Sequence, residues 1–295
     1  MEINILPGRY VLAVSGGVDS MALLHALKDV AGVELIVAHF DHGIRTDSGV
    51  DRQLVQDEAE RRDLKFELKE GHLESDSSEA VARKARYDFL ELVRLKYEAS
   101  AIITAHHQDD VLETAVLNLS RGTGWRGLIS LSDNEHFKRP LLDTSKAVIL
   151  EYAYKNNLVW REDSTNTNEQ YLRNYIRHTI MPQFGGPDRN NLVKILNGLR
   201  VTGSELNNLL SRTLKDISHD NELNRSALSG LPIEIIQEIL IAWWRQNGFY
   251  GYESKTLKRA IKNIQINKSG LIVPLKGSLE MLVGRTKLAL IQRER

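Results

Sequence analysis

Cysteine is absent from the 295 residues. That absence excludes disulfides, thiolate metal sites and any mechanism that carries sulfur on a thiol or persulfide. No run approaches the roughly 18–20 consecutive apolar residues that a membrane-spanning helix requires, so no membrane partner is expected. The opening stretch MEINILPGRY lacks a basic segment followed by a long apolar core. No export signal is therefore expected, and the cytoplasm is the expected compartment. Net charge is missing as well: 39 Lys+Arg balance 39 Asp+Glu, which argues against a general nucleic-acid binder. The balance is uneven along the chain. From residue 221 onward twelve Lys/Arg face six Asp/Glu. Such a skew fits a polyanionic partner and equally fits a solvated surface.

What is present begins with residues 9–27, RYVLAVSGGVDSMALLHAL. Residues 11–14 read as a buried strand and 21–27 as the apolar face of a helix. Between them Ser15, Gly16, Gly17, Val18, Asp19 and Ser20 make a tight strand-to-helix turn. Paired glycines allow unusual backbone angles and keep Cβ atoms off anything lying on the turn. A helix starting there directs unpaired N–H groups and its positive dipole end at that space, which suits phosphate. The G-x-x-x-x-G-K-[ST] phosphate loop is excluded because no lysine follows, and G-x-G-x-x-G is absent. An ordinary turn with a Ser or Asp cap is the plainer alternative.

The chain then alternates strand and helix. Strands are expected at 33–39, 65–68 and 101–105. Helices are expected from a cap at Asp47 to about 62, and at 79–97, 106–119, 144–156 and 171–180, with a long helix at 191–217. This pattern predicts an α/β fold, a parallel sheet with helices on both faces. The tail, with helices at 232–246 and 254–264 and strands at 271–275, 279–283 and 287–291, reads as a small C-terminal α+β module. The expected division is 1–218 and 219–295. Ligands of such sheets sit beyond the carboxyl ends of the strands, where each polar cluster falls.

Two further clusters carry chemistry. In TAHHQDDVLET, Asp110 and Glu113 share a helical face, and His106 lies just before them. Such a face can hold a cationic substrate, a magnesium ion or both, or it is a solvated acidic helix start. In ARKARY, Arg83 and Arg86 share a face and could clamp an α-phosphate, although a solvated basic stripe is the commoner meaning. A polar turn, DSTN, and the stretch RNYIR follow at 163–166 and 173–177.

SGGVDS at the end of a first strand resembles the pyrophosphate loop of the N-type ATP pyrophosphatases. Taken in order with His39 and its FDHGIR extension, ARKARY, AHHQDDVLET, RGTGWRG, RPLL and the stretch 163–177, it closely resembles the tRNA(Ile)-lysidine synthetase family over about residues 10–180. Two departures are Asn168, where that family often has aspartate, and Trp125 in the glycine-rich loop. The resemblance implies ATP as substrate, with the C2 oxygen of the wobble cytidine in a CAU anticodon of tRNA(Ile) adenylated. Free L-lysine then displaces AMP to give lysidine. It implies that residues 15–20 hold pyrophosphate, that His39 and Arg83 or Arg86 serve the nucleotide, and that Asp110 and Glu113 orient lysine. It further implies a positioning or proton-transfer role for His106, and a place for Arg173 at the lysine or AMP end. Mg2+ is expected, without identified ligands. A homodimer stays open. The alternatives are another adenylating enzyme of the superfamily acting on RNA or a small molecule, or a non-catalytic nucleotide- or RNA-binding protein. The missing cysteines disfavour the thiolating branch.

Overall fold

Residues rich in Val, Leu, Ile and Ala form the central strands because both of their faces are buried, as a parallel sheet demands. The computed structural model describes residues 1, 3–43, 48–71, 79–161, 172–249, 252–266, 268–275 and 278–292. Asp47, residues 44–45, Asn168, Gly277 and the polar turn at 162–171 lie outside the described residues. Packing divides the chain into two units, Met1–Arg200 and Val201–Arg295.

In the first unit, β1 (Gly8–Ala13), β2 (Val33–Asp41), β3 (Lys65–Glu70), β4 (Ala101–Ile103) and β5 (Phe137–Lys138) form one parallel sheet. Its order is β3-β2-β1-β4-β5. Side chains alternate across it. Leu12, Val14, Leu35, Val37 and Ile103 pack on one face with Leu23, Leu24, Val55 and Ile149 of α1 (Val18–Leu27), α2 (Ser48–Arg61) and α6 (Lys146–Lys155). Val11, Ala13, Ile36, Ala38 and Ile102 pack on the other with Phe89, Leu90 and Val93 of α3 (Glu79–Lys96). The sheet covered on both sides is therefore as expected. β3 is a charged, largely exposed edge strand, a composition that discourages further pairing.

Two boundaries differ from the sequence reading in ways that matter. The fourth strand ends at Ile103, and α4 (Gln108–Ser120) starts two residues later than position 106. The Asp110 carboxylate accepts the His107 backbone N–H at 3.0 Å, so the helix opens behind His107 and both histidines stay on the rim. After the short α5 (Trp125–Leu128), the helix expected at 171–180 is one turn of α7 (Leu172–Tyr175), then a wider π turn (Ile176–Ile180) and a 3-10 turn (Met181–Gln183). The long helix α8 (Gly186–Ile217) begins at Gly186 because Pro187 sits in its first turn, where a missing N–H costs nothing.

In the second unit, β6 (Ser218–His219), β7 (Glu222–Asn224), β8 (Leu271–Pro274), β9 (Leu279–Val283) and β10 (Lys287–Gln292) make an antiparallel sheet of order β6-β7-β10-β9-β8. The three later strands were legible, whereas the β6–β7 hairpin was not. With α9 (Ile233–Gln246) and α10 (Ser254–Gln265) the sheet encloses a core around Trp243, Trp244, Val273, Met281 and Leu288. Leu206, Leu210 and Leu214 of α8 belong to this core, which is why the division falls inside that helix and not at its end near 218.

Candidate active site

Strand order reverses between β1 and β4. An open α/β sheet leaves its crevice at such a switch. The 15–20 loop leaves β1 there, and Thr104 to Asp110 leave β4 there.

The loop holds its own shape. Gly16 has φ +90°, a conformation that favours glycine, and a Cβ there would lie 3.5 Å from Asp51 Cβ. Gly17 is extended with φ −75°, so only Gly16 needs glycine for its backbone. The Ser20 hydroxyl is buried and donates to the Gly17 carbonyl at 2.9 Å while accepting the Ser15 N–H at 3.1 Å. Ser20 thus shapes the loop, and the hydroxyl of Ser15, an exposed residue, lies 3.2 Å from that of Ser20 and accepts the Gly17 N–H at 3.4 Å. No side chain caps the start of α1, which leaves its first N–H groups open to a ligand. Arg161 closes the loop from behind: its N–H donates to the Gly16 carbonyl at 3.0 Å, and its guanidinium pairs with buried Asp51 at 2.7 Å.

Asp19 points from the loop into a charged network. Lys146 Nζ at the start of α6 lies 2.7 and 2.8 Å from the two Asp19 oxygens. His107 Nε2 lies 3.7 Å from Asp19 and 3.6 Å from Asp110. Burial alone would raise the Asp19 pKa, but the charges of His107 and Lys146 outweigh it and hold the carboxyl below its ordinary value. Burial would likewise lower His107, yet Asp19 and Asp110 raise it. Asp109 accepts the Lys146 N–H at 2.9 Å and the Arg189 guanidinium at 2.7 Å, tying α4, α6 and α8 together.

Asp110 and Glu113 are both buried and share one face of α4. Both are met by arginine. Arg177 grips Glu113 through two hydrogen bonds of 2.6 and 2.8 Å, and Arg173 reaches Glu113 and Asp110 at 3.4 Å each. Glu113 in turn raises the Arg177 pKa against the effect of burial. His106 is hydrogen-bonded to the Thr104 hydroxyl at 2.8 Å. Burial pushes it down to about 3, with Arg86, Arg139 and Arg83 adding to the effect against Asp110.

His39 donates Nδ1–H to the Val14 carbonyl at 2.8 Å, and burial lowers its pKa. The charge of Arg86 is felt at both His39 and His106. Burial also lowers the Arg86 pKa, and among the described residues no carboxylate faces it. Arg83 is instead exposed and engaged with Tyr87, its Nη2 donating to the phenol at 3.0 Å. Of the two, Arg86 is the one whose charge bears on both histidines.

Sequence reasoning did not single out His107, Lys146, Arg161 or Arg139. His107 was available in the HH pair, and Lys146 in the first turn of its helix. Their partners are distant in sequence, which hid them.

A model of the PP-loop domain matches residues 5–184. Curated relatives include the tRNA(Ile)-lysidine synthase of Thermotoga maritima, 44% identical over 59% of this chain and 45% of its own. That of Mycoplasma mycoides is 32% identical over 87% of this chain and 66% of its own. That of Bacillus subtilis is 33% identical over 76% and 52%. The chain thus spans about half to two thirds of the length of these relatives. Among solved structures, the U34-tRNA thiolase NcsA of Methanococcus maripaludis aligns with TM-score 0.56 at 14% identity, covering 67% of this chain and 73% of that one, a likeness of fold. With its SGGVDS turn at the strand-order reversal and a domain match that spans most of the first unit, this chain belongs to the PP-loop family.

Proposed function

We propose that the chain is an ATP-dependent ligase that joins free L-lysine to C2 of the wobble cytidine in the CAU anticodon of tRNA(Ile), forming lysidine and releasing AMP and pyrophosphate. One observation carries this reading. The phosphate-type loop and the carboxylate-bearing start of α4 meet at one crevice and are joined through Asp19, His107 and Lys146. A phosphate loop alone would support any adenylating enzyme, whereas a buried carboxylate pair beside it supports a cationic second substrate. The relatives' names support tRNA(Ile) as acceptor. The cytoplasm is the compartment where that substrate resides, and the second unit is assigned to tRNA binding.

In the first step the cytidine C2 oxygen attacks the α-phosphate and pyrophosphate leaves. The open N–H groups at the start of α1 and the Ser15 hydroxyl receive the pyrophosphate, while Arg86, with Arg83 at its side, offsets charge at the α-phosphate. Magnesium, which fits the Asp19 carboxylate because such ions take one or two carboxylates plus phosphate oxygens, would supply further charge neutralisation. In the second step the lysine ε-amine attacks C2 and AMP departs. Asp110 and Glu113 anchor ammonium, and Arg173 meets the lysine carboxylate or AMP. Lysine binding therefore exchanges arginine contacts for substrate contacts within one cluster. His106, neutral at physiological pH, positions groups and is too weakly basic to draw a proton from an ammonium. The deciding experiment incubates the protein with ATP, lysine and CAU-anticodon tRNA and weighs the nucleosides. Lysidine at the wobble position is expected, and unaltered cytidine where a known enzyme succeeds would overturn the reading.

A further inference from the structure

On α10, Lys255, Lys258, Arg259 and Lys262 stand at i, i+3, i+4 and i+7, and all of them are exposed. They form one stripe. The opposite face, Leu257, Ala260, Ile261 and Ile264, repeats the same spacing and is buried in the core of the second unit. The orientation of the helix is therefore set by packing, and the basic stripe is held towards solvent.

This stripe differs from the acid-paired basic side chains of α2 and α3. On α2 and α3, Arg61 and Arg62 pair with Glu58, Lys84 with Asp88 and Arg94 with Glu91. The sequence of α10, SKTLKRAIKNIQ, contains no acid at all. Among the described residues the ion pairs of this unit, His219 with Asp220 and Lys287 with Glu222, involve none of the four. The carbonyl end of the helix does not offset the charge either. Arg225, itself buried, donates to the carbonyls of Ile264 at 2.8 Å, Lys268 at 2.8 Å and Gly284 at 2.7 Å, neutralising that end. The same bonds gather the backbone at Lys268 and Gly284 beside the helix terminus, with the exposed Lys268 and Arg285 extending the positive surface.

We infer that this stripe docks the phosphate backbone of RNA and, resting on the reading above, of the tRNA substrate. A helix rise of about 1.5 Å per residue makes the stripe roughly 10 Å long, a span of about three nucleotides along a strand. An anionic membrane is the poorer partner, because interfacial helices bind by burying an apolar face in lipid and that of α10 is spent in its own core.

The test is the full chain with Lys255→Gln, Lys258→Gln, Arg259→Gln and Lys262→Gln combined, beside a charge-keeping control in which the three lysines become arginine. Binding of CAU-anticodon tRNA is titrated at several salt concentrations. The glutamine variant is expected to bind at least tenfold more weakly in low salt, and its slope of log affinity against log salt should shrink by about 3, at roughly 0.7–0.9 per phosphate contact. The control should match the parent, and ATP binding should be unchanged in both. Equal tRNA affinity and slope in the glutamine variant, in a parent that forms lysidine, overturns the stripe alone. A parent that binds no tRNA overturns both readings. Loss of binding to anionic vesicles with tRNA binding intact would assign the stripe to lipid and also overturn the proposal.

Discussion

Lys146 Nζ lies 2.7 and 2.8 Å from the carboxylate oxygens of Asp19, so a helix 127 residues away neutralises the acid of the glycine loop. Removing Lys146 as Lys146→Gln is expected to slow pyrophosphate release by about ten- to a hundredfold, the worth of one charge-assisted contact at about 1.5–3 kcal/mol. Asp19→Asn should abolish AMP formation with the fold retained. Pyrophosphate-release kinetics and circular dichroism check both. Near-normal turnover in Asp19→Asn would remove the loop from the nucleotide site.

The two loop glycines should differ. Gly16→Ala places a side chain at φ +90° and is expected to cost about 1–2 kcal/mol of stability. Gly17→Ala, at φ −75° with its nearest neighbour Ser15 Oγ at 3.6 Å, should leave stability nearly unchanged and weaken only ATP binding. Denaturant midpoints and ATP titrations separate the effects. Equal destabilisation by both would contradict the loop geometry.

Glu113→Gln and Asp110→Asn should damage lysine transfer more than adenylation. Lysine dependence is expected to weaken roughly ten- to a hundredfold for a lost contact of about 1.5–3 kcal/mol. Rapid-quench measurement of adenylated tRNA is the check. An accumulating intermediate supports lysine binding, and its loss would move the carboxylate to the nucleotide side.

His106 makes the fold sensitive to acid. Its folded pKa of about 3 lies below the ordinary 6.5, so the unfolded chain takes up the proton first. Stability from this group is intact above about pH 6.5 and falls as pH drops towards 3, by up to about 1.4 kcal/mol per pH unit. His106→Gln should flatten the stability profile across that window in denaturant titrations. His107 has the opposite sign: its raised pKa contributes stability at low pH that fades as pH rises through the folded value. A steeper acid loss in His106→Gln would refute the assignment.

Arg225→Met should destabilise the second unit by at least about 3 kcal/mol, because several buried carbonyls lose their donor together. Thermal unfolding monitored at Trp243 and Trp244, both in that core, reads the change. Arg225→Lys should recover only part of it, since one ammonium cannot fan out to the same carbonyls.

Local pattern was enough for the elements that repeat a period or carry a turn signal. The apolar runs of β1, β2 and β4 are legible because they are unbroken, and the helix starts after Gly17 and near Asp109 and the strand trio of the tail because turn signals bound them. The β6–β7 hairpin and β5 are two or three residues long and exist only through the strands beside them, so no local pattern marks them.

Sequence by itself determined the parts of this protein: an SGGVDS turn after a buried strand, a carboxylate pair on one helical face, a basic tail and no cysteine. Tertiary structure decided their partners. It set Lys146 and His107 on Asp19, turned Ser20 inward, and laid Arg173 and Arg177 across Asp110 and Glu113. The reason is that periodicity reports which side of an element is buried. Pairing between charges depends on distances of a few ångströms between elements far apart in the chain, and the packed sheet alone fixes those.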